Sequence, residues 1–227
     1  MNNESNERKE LKVLLSNFDL SLIDSYIRLT PYLFEKKFDN RYVNSIYYDS
    51  FDFECLQDNL SSISRRYKKR LRWYGDINQT NFSNLEFKIK EGVIGKKIQI
   101  PINQFISFKN SYHSNINSIL SQNIPENKFL LFDYNCFPVV LVRYKWLYYE
   151  SQINKIRITV DSDIQFYTQL NSNNINITIK KQPEYLKIIE IKFNNNLDHI
   201  TQDLMQYLPF RVTKSSKYTM AVQSIYL

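Results

Sequence analysis

Arg65-Arg66-Tyr67-Lys68-Lys69-Arg70-Leu71-Arg72-Trp73-Tyr74-Gly75 sets a physical problem that the rest of the chain must solve. Read as a strand, its side chains alternate between faces. Arg66, Lys68, Arg70 and Arg72 fall on one side and Tyr67, Leu71 and Trp73 on the other, with Lys69 the exception. Taken alone, this is an ordinary half-exposed strand with charges in water and apolar groups on a core. The rhythm recurs, however, in Arg8 to Lys12, Leu85 to Lys90, Ile156 to Asp161 and Ile189 to Phe193, with both signs of charge mixed into each comb. Repetition of this kind predicts an α+β chain whose strands, about eight and mainly antiparallel, close into a barrel around a charged lumen with helices packed outside.

The totals agree with a compact enzyme-sized chain. The 227 residues suffice for one domain, expected over residues 8–227 behind a disordered start at 1–7. Aromatic residues make up 15% and glycines number only three, a globular composition. Thirty Lys and Arg against 23 Asp and Glu leave a net charge of +7, which asks for an anionic partner. Cys55 and Cys136 form no disulfide framework and no Cys-x-x-Cys zinc site, so a reducing, cytoplasmic setting is expected. The polar N-terminus has no leader-like apolar core, and no apolar run reaches the roughly 18–20 residues of a membrane span, so no direct membrane insertion is expected.

Along the chain, a strand is predicted at Glu10 to Leu15. A helix follows, with a Ser21/Asp24 capping box and a Leu22, Ile23, Tyr26, Ile27 stripe, stopped by Pro31. Tyr42 to Tyr48 reads as a strand, Phe53 to Asn59 as a short helix, and Leu85 to Glu91 with Lys96 to Ile100 as a hairpin around Gly92 to Gly95. Pro101 is expected to open a helical region with a polar loop at Asn110 to Asn117. Further strands are predicted at Val139 to Tyr149, Ile153 to Asp161, Ile175 to Lys180 and Tyr185 to Phe193. Leu197, Ile200, Leu204 and Leu208 mark a helix, and Tyr218 to Ile225 a terminal one that begins near Ser215-Ser216-Lys217. His113 and His199 are expected at the surface.

A lumen lined by about eight cations would cost tens of kcal/mol to dehydrate, against a net stability of about 5–15 kcal/mol. It must stay wet and its cations must meet anions. Glu10, Glu86, Asp161 and Glu190 supply part of that charge, and a bound chain of phosphates would supply the rest, since Arg forks grip phosphate oxygens in pairs and Lys acts as a point charge. A helix starting at Ser216-Lys217 would add free N–H groups and its positive dipole end, although Ser215 or Ser216 could equally be a plain cap.

These residues in this order resemble the VTC domain, the polyphosphate-polymerase branch of the triphosphate tunnel metalloenzymes. The resemblance runs through Arg8-x-Glu10-x-Lys12; Ser45 to Asp49; Lys68-x-Arg70-x-Arg72-Trp73-Tyr74-Gly75; Glu86-x-Lys88; Pro138 to Tyr144; Arg157 to Asp161; Glu190-x-Lys192-Phe193; and Lys214-x-Ser216-Lys217-Tyr218. It implies a tunnel that binds ATP or another nucleoside triphosphate. With manganese or magnesium, such a tunnel moves the γ-phosphate onto a growing polyphosphate, in some systems beside a membrane-protein partner. It assigns the central phosphate contacts to Arg70, Arg72, Lys88, Arg157 and Lys217, and further ones to Lys12, Arg66, Lys68, Tyr144, Lys192, Lys214 and Ser216. Glu190, and secondarily Glu10, would hold the metal. Glu86 and Lys192 can instead pair with neighbours.

Two departures matter. Where the family usually has Tyr-x-Arg, this chain has Tyr144-Lys145-Trp146, and Arg143 and Lys145 lie on the other strand face by parity, so one phosphate ligand is missing. Hydrolytic tunnel enzymes typically carry Glu-x-Glu-x-Lys on the first strand, and here Arg8 takes the first place. Three readings follow: polymerase, triphosphate or tripolyphosphate hydrolase, and a binding module with little turnover. Nucleic-acid binding ranks behind them, because the basic residues interleave with acidic ones rather than forming an open stripe.

Overall fold

The computed structural model describes residues 8–92, 94–131, 136–170, 172–183 and 185–227; the expected disordered start at 1–7 lies outside them. In chain order the elements are β1 (Arg8–Ser16), α1 (Leu20–Arg28), β2 (Phe34–Lys36), β3 (Arg41–Asp49), α2 (Glu54–Leu60), β4 (Arg65–Tyr74), β5 (Gln79–Thr80), β6 (Ser83–Glu91), β7 (Ile94–Ile102) and β8 (Ile106–Ser107). They continue with α3 (His113–Asn123), β9 (Phe137–Ser151), β10 (Arg157–Thr168), β11 (Lys180–Lys181), β12 (Leu186–Asn194), α4 (Asp198–Tyr207) and α5 (Lys217–Tyr226). No described helix is long and apolar enough to cross a membrane. The chain divides into two compact units, one of residues up to 41, 144–164 and 183–215, the other of 42–143, 165–182 and 216–227.

Unit one is a sheet in the order β1, β12, β10, β9, with β2 beside β9. Its pairings are antiparallel, with Val13 opposite Ile189 and Ile158 opposite Ile191. Strand alternation sends Val13, Leu15, Leu147, Tyr149, Ile158, Val160, Ile189, Ile191 and Phe193 into one core, which Ile23 and Ile27 of α1 and Leu204 of α4 cover. Each such fully buried aliphatic residue contributes roughly 1.5–3 kcal/mol. The opposite face carries Glu10, Lys12, Arg157, Glu190 and Lys192.

Unit two is built the same way, in the order β10, β9, β3, β4, β6, β7, with β11 on β10 and a separate two-residue ladder of β5 and β8. Ile46, Tyr48, Leu71, Trp73, Leu85, Phe87, Ile100 and Ile102 form its core under Ile116 and Leu120 of α3. Trp73 stacks on Phe108 at 4.0 Å. Lys69, the odd residue of the comb, is buried on this apolar face with its Nζ 4.6 Å from the Tyr48 ring centre.

The α+β, mainly antiparallel architecture is as expected, but neither unit's ladder closes. The outer edge of β1 is covered by the segment at 212–213: Val13 bridges Val212, Thr213 N–H donates to Lys12 O at 2.7 Å, and Leu14 N–H donates to Thr213 Oγ1. An irregular segment thus shields an edge that closure would have paired. At the other end β7 carries Pro101, which has no N–H for a further ladder.

Four local expectations need correction. The Ser21/Asp24 box is absent: α1 starts at Leu20 with Asp19, two residues before Ser21, as its N-cap, Ser21's carbonyl accepts from Ser25 Oγ, and Asp24 accepts from Arg28 and Tyr149. Pro101 lies in a strand, and the polar stretch after it is helical from His113, because Ile116 and Leu120, four residues apart, suffice to bury one face. Ile175 to Ile179 is no strand, and a two-residue strand begins only at Lys180: Asn176 Oδ1 accepts from the N–H groups of Thr178 and Ile179 while its Nδ2 donates to Thr168 O, a side-chain-organised turn that outcompetes the ladder. His113 is half-buried rather than superficial, and burial pushes its imidazole pKa down.

Candidate functional site

In unit two, antiparallel register sets directly opposite residues on the same face. Tyr47 faces Arg70, Arg70 faces Glu86, and Glu86 faces Gln99. Ser45 faces Arg72, and Arg66 faces Lys90. Between these rows stand three lysines abreast, Lys68 opposite Lys88 and Lys88 opposite Lys97. Like charges placed opposite one another destabilise a sheet. Lys97 meets Glu86 and Lys68 donates to Ser216 Oγ, which offset part of that repulsion.

Glu86 is the carboxylate that Arg70 and Lys97 meet on this face. Glu86 is buried; its Oε2 accepts from Arg70 Nε at 2.7 Å and lies 2.6 Å from Arg70 Nη2, and its Oε1 accepts from Gln99 Nε2 and Lys97 Nζ at 2.8 Å each. Burial alone would push its carboxyl up, but Arg70, Arg72 and Lys97 outweigh that and hold it at about 2. Of its two expected alternatives, Glu86 takes the pairing role. It aims Arg70 and Lys97 and keeps both where they stand. Burial, opposed by Glu86, lowers the pKa of Lys97.

Tyr47 belongs to the same patch. Its phenol oxygen accepts from Arg70 Nη1 at 3.0 Å, and its ring stacks on Tyr218 at 5.3 Å. Burial raises the phenol's pKa, yet the charges of Arg70, Arg72 and Lys217 bring it down to about 8. Arg72 Nε donates to Ser45 Oγ at 3.2 Å. Ser216 is the N-cap of α5, one of the alternatives that the sequence leaves open; its Oγ accepts from Thr219 N–H at 3.5 Å and from Lys68 Nζ at 3.0 Å. A hydroxyl that accepts twice still has its proton to donate.

Asp49 locks this helix start in place. It accepts from the N–H groups of Ser50, Cys55 and Leu56, which caps α2, and also from the Tyr218 hydroxyl, which follows Lys217. Burial and the nearby Asp49 push the Tyr218 phenol far up, so it stays a donor.

Unit one presents a different pattern, a checkerboard. Glu10 faces Lys192, which faces Arg157; Lys12 faces Glu190, which faces Thr159. Lys12 Nζ lies 3.3 Å from Glu190 and 3.8 Å from Glu10, and Lys192 Nζ lies 2.9 Å from Glu190 and 3.6 Å from Glu10. Each lysine therefore touches both carboxylates. Arg157 Nε is 3.5 Å from Glu150, which Lys37 holds at 2.6 Å. Lys214 is exposed, next to Thr213 on the edge of β1, and Tyr144 is buried.

Among the described residues no three His, Cys, Asp or Glu side chains gather as a metal cage. Glu190 and Glu10 nevertheless share one small patch, and a hard cation such as Mg²⁺ or Mn²⁺ typically takes one or two carboxylates and draws its other ligands from water and phosphate. The donor set fits a cation that arrives with a phosphate chain.

The predicted residues thus fall into two sets. Arg66, Lys68, Arg70, Arg72, Lys88, Ser216 and Lys217 belong to unit two, and Glu10, Lys12, Tyr144, Arg157, Glu190, Lys192 and Lys214 to unit one. Sequence reasoning missed Lys97, Tyr47 and Asp49. Lys97 was within reach, since a hairpin through Gly92 to Gly95 sets it opposite Lys88. Trp146, at the position where the resemblance leads one to expect an arginine, has the Arg41 guanidinium 5.0 Å from its ring centre. Arg143 instead lies 3.9 Å over the Tyr42 ring and donates to Asn44.

Comparison with known proteins bears on the fold and the family. In solved structures the fold recurs in a candidate adenylate cyclase of Bacillus halodurans (TM-score 0.54, 12% identity, covering 97% of this chain and 99% of that one). A candidate adenylate cyclase of Vibrio parahaemolyticus has a TM-score of 0.52 at 11% identity, covering 95% and 97%. A candidate adenylyl cyclase from Hippeastrum, described as having a dominant triphosphatase activity, has a TM-score of 0.52 at 13% identity, covering 96% and 98%. At these identities the likeness is one of fold. No curated protein matches the sequence significantly. The family model described as VTC domain matches residues 7–226, nearly the whole chain. The chain therefore belongs to the VTC domain family, with the fold of the triphosphate tunnel metalloenzymes.

Proposed function

We propose that residues 8–227 act as one catalytic domain that transfers the γ-phosphate of ATP onto the end of a polyphosphate chain. The observation that carries this reading is the row Lys68, Lys88, Lys97 beside an Arg70 clamped by Glu86. Phosphates lying along such a row would offset the repulsion among its members.

In the transfer, a terminal oxygen of the acceptor chain forms a bond to the γ-phosphorus, and the bond to the β,γ-bridging oxygen breaks, so that ADP departs with the electron pair. The acceptor is already anionic, and no proton need be removed. A loose phosphoryl transition state asks for alignment and charge neutralisation more than covalent help. Arg70 and Arg72 would grip phosphate oxygens with their forks, held by Glu86 and Ser45; Arg66, Lys68, Lys88 and Lys217 would add point charges, and Ser216 a hydrogen bond. Lys12, Arg157, Lys192, Lys214 and the Tyr144 hydroxyl would contact further phosphates. A divalent cation, Mn²⁺ or Mg²⁺, held by Glu190 and Glu10 would neutralise phosphate charge. The two thiols, Cys55 and Cys136, are not joined in a disulfide, which suits a cytoplasmic setting.

The test is incubation with ATP and Mn²⁺, followed by separation of polymer and nucleotide. Long-chain polyphosphate with matching ADP is expected; the absence of both overturns the reading. Hydrolysis is a second reading, favoured by the fold shared with the Hippeastrum protein described as having a dominant triphosphatase activity. Orthophosphate release without chain growth would select it, and tripolyphosphate binding without any product would select a binding module.

A further inference from the structure

The aromatic end of unit one carries an inference that rests on the reading of the chain as a nucleoside triphosphate enzyme. β9 sends Leu147 and Tyr149 into the core and leaves Trp146 and Tyr148 on the face that also holds Glu150. Trp146 and Tyr148 meet edge to face at 5.2 Å, and Phe38 meets Tyr148 at 5.1 Å. The Arg41 guanidinium lies 5.0 Å from the Trp146 ring centre and 5.6 Å from that of Phe38. Phe38 is 47% exposed and Arg41 is exposed, so this cluster is not consumed by the core.

Beside it, Lys36, Lys37, Phe38, Asp39 and Asn40 line an open cleft of about 460 Å³. That lies within the range of about 300–1,000 Å³ seen for small-molecule sites. The cleft is tied to a phosphate-binding candidate through one carboxylate: Glu150 holds Lys37 at 2.6 Å with one oxygen and Arg157 at 3.5 Å with the other. Burial raises the pKa of the Tyr148 phenol, while Arg157 and Lys192 pull against it, so the rings lie within the field of those cations. Packing alone accounts for rings touching rings. The cluster adds a guanidinium within reach of two partly exposed rings, Asp39 and Asn40 in the adjoining wall, and an arginine of the phosphate set one carboxylate away, a combination that suits a ligand with a flat ring and a charged tail.

We propose that this cleft is a nucleobase subsite: a purine stacks on the shelf of Trp146, Arg41 and Phe38, and Asp39 and Asn40 hydrogen-bond its polar edge. Flat aromatic and guanidinium surfaces stack bases without needing a particular sequence, and Asn and Asp offer the donors and acceptors that base edges require. The donor is then a nucleoside triphosphate rather than a bare polyphosphate.

The experiment compares binding of ATP and of tripolyphosphate, by calorimetry with Mg²⁺ present, to the wild-type chain, Trp146→Ala and Phe38→Ala. Both variants should lose ATP affinity about five-fold to a hundred-fold, as stacking on aromatics implies, with tripolyphosphate affinity unchanged. Since Trp73 is fully buried, ATP but not tripolyphosphate should quench the fluorescence that Trp146→Ala removes. If both ligands weaken together, or neither does, the subsite is refuted while the phosphate-binding reading stands. If the wild-type chain binds neither ligand, the functional reading falls and the subsite with it. Phe38→Ala, at an exposed position, keeps the test decisive should Trp146→Ala fail to fold.

Discussion

Replacing Glu86 by Gln keeps the size of the side chain and removes the charge that Arg70, Arg72 and Lys97 surround. The carboxyl is held at about 2 instead of its ordinary 4.5, which corresponds to roughly 3 kcal/mol of favourable interaction. Removing one partner of a buried ion pair costs about 3–5 kcal/mol, so two routes give the same size. For a chain of this length the melting temperature should fall by about 6–12 °C near neutral pH. Because the folded carboxyl has the lower pKa, its contribution is fully present above pH 4.5 and lost as pH falls through about 2, so wild type and variant should converge in strong acid. The variant's uncompensated cations should also gain more from an anion, so that tripolyphosphate raises its melting temperature further than that of the wild type. A variant that melts with the wild type near neutral pH and gains no more from tripolyphosphate would refute the view of Glu86 as the counter-ion of a cationic site.

Lys88→Gln should move stability and binding in opposite directions. Relief from Lys68 and Lys97 leaves the unliganded chain unchanged or stabilised by about 0.2–1 kcal/mol in urea unfolding, while tripolyphosphate binds more weakly in titration calorimetry. Tyr47 should appear in a spectroscopic tyrosinate titration as one phenol ionising near 8, absent in Tyr47→Phe and shifted back up by bound tripolyphosphate. Since its folded pKa is lowered, its contribution is complete above pH 10 and falls away as pH drops through 8, and wild type should gain on Tyr47→Phe across that window. Asp49→Ala loses the cap of α2 and the acceptor of Tyr218 together, a cost of about 2–4 kcal/mol, and amide exchange in α5 should quicken.

The alternation in β4 told correctly which of its residues share a face, down to Lys69 as the odd one, because the period of a strand is a property of its own backbone. The same local rule placed Glu190 and Lys192 together, and Ser216-Lys217 at the start of α5. Where it failed, another interaction outweighed it. Asn176 turned an alternating stretch into a loop by bonding to nearby backbone, and a polar segment became α3 because Ile116 and Leu120 reached the core.

The amino-acid order by itself determined the charged faces and the apolar faces beneath them. Only the tertiary structure decided who stands opposite whom: that Lys97 completes a lysine row, that Glu86 spends its charge on Arg70 rather than on a metal, that Asp49 anchors Tyr218, and that irregular chain covers the edge of β1. Alternation is set within a few residues. Register and ion pairing are set by segments tens to hundreds of positions apart, whose meeting depends on packing and charge that no local pattern encodes.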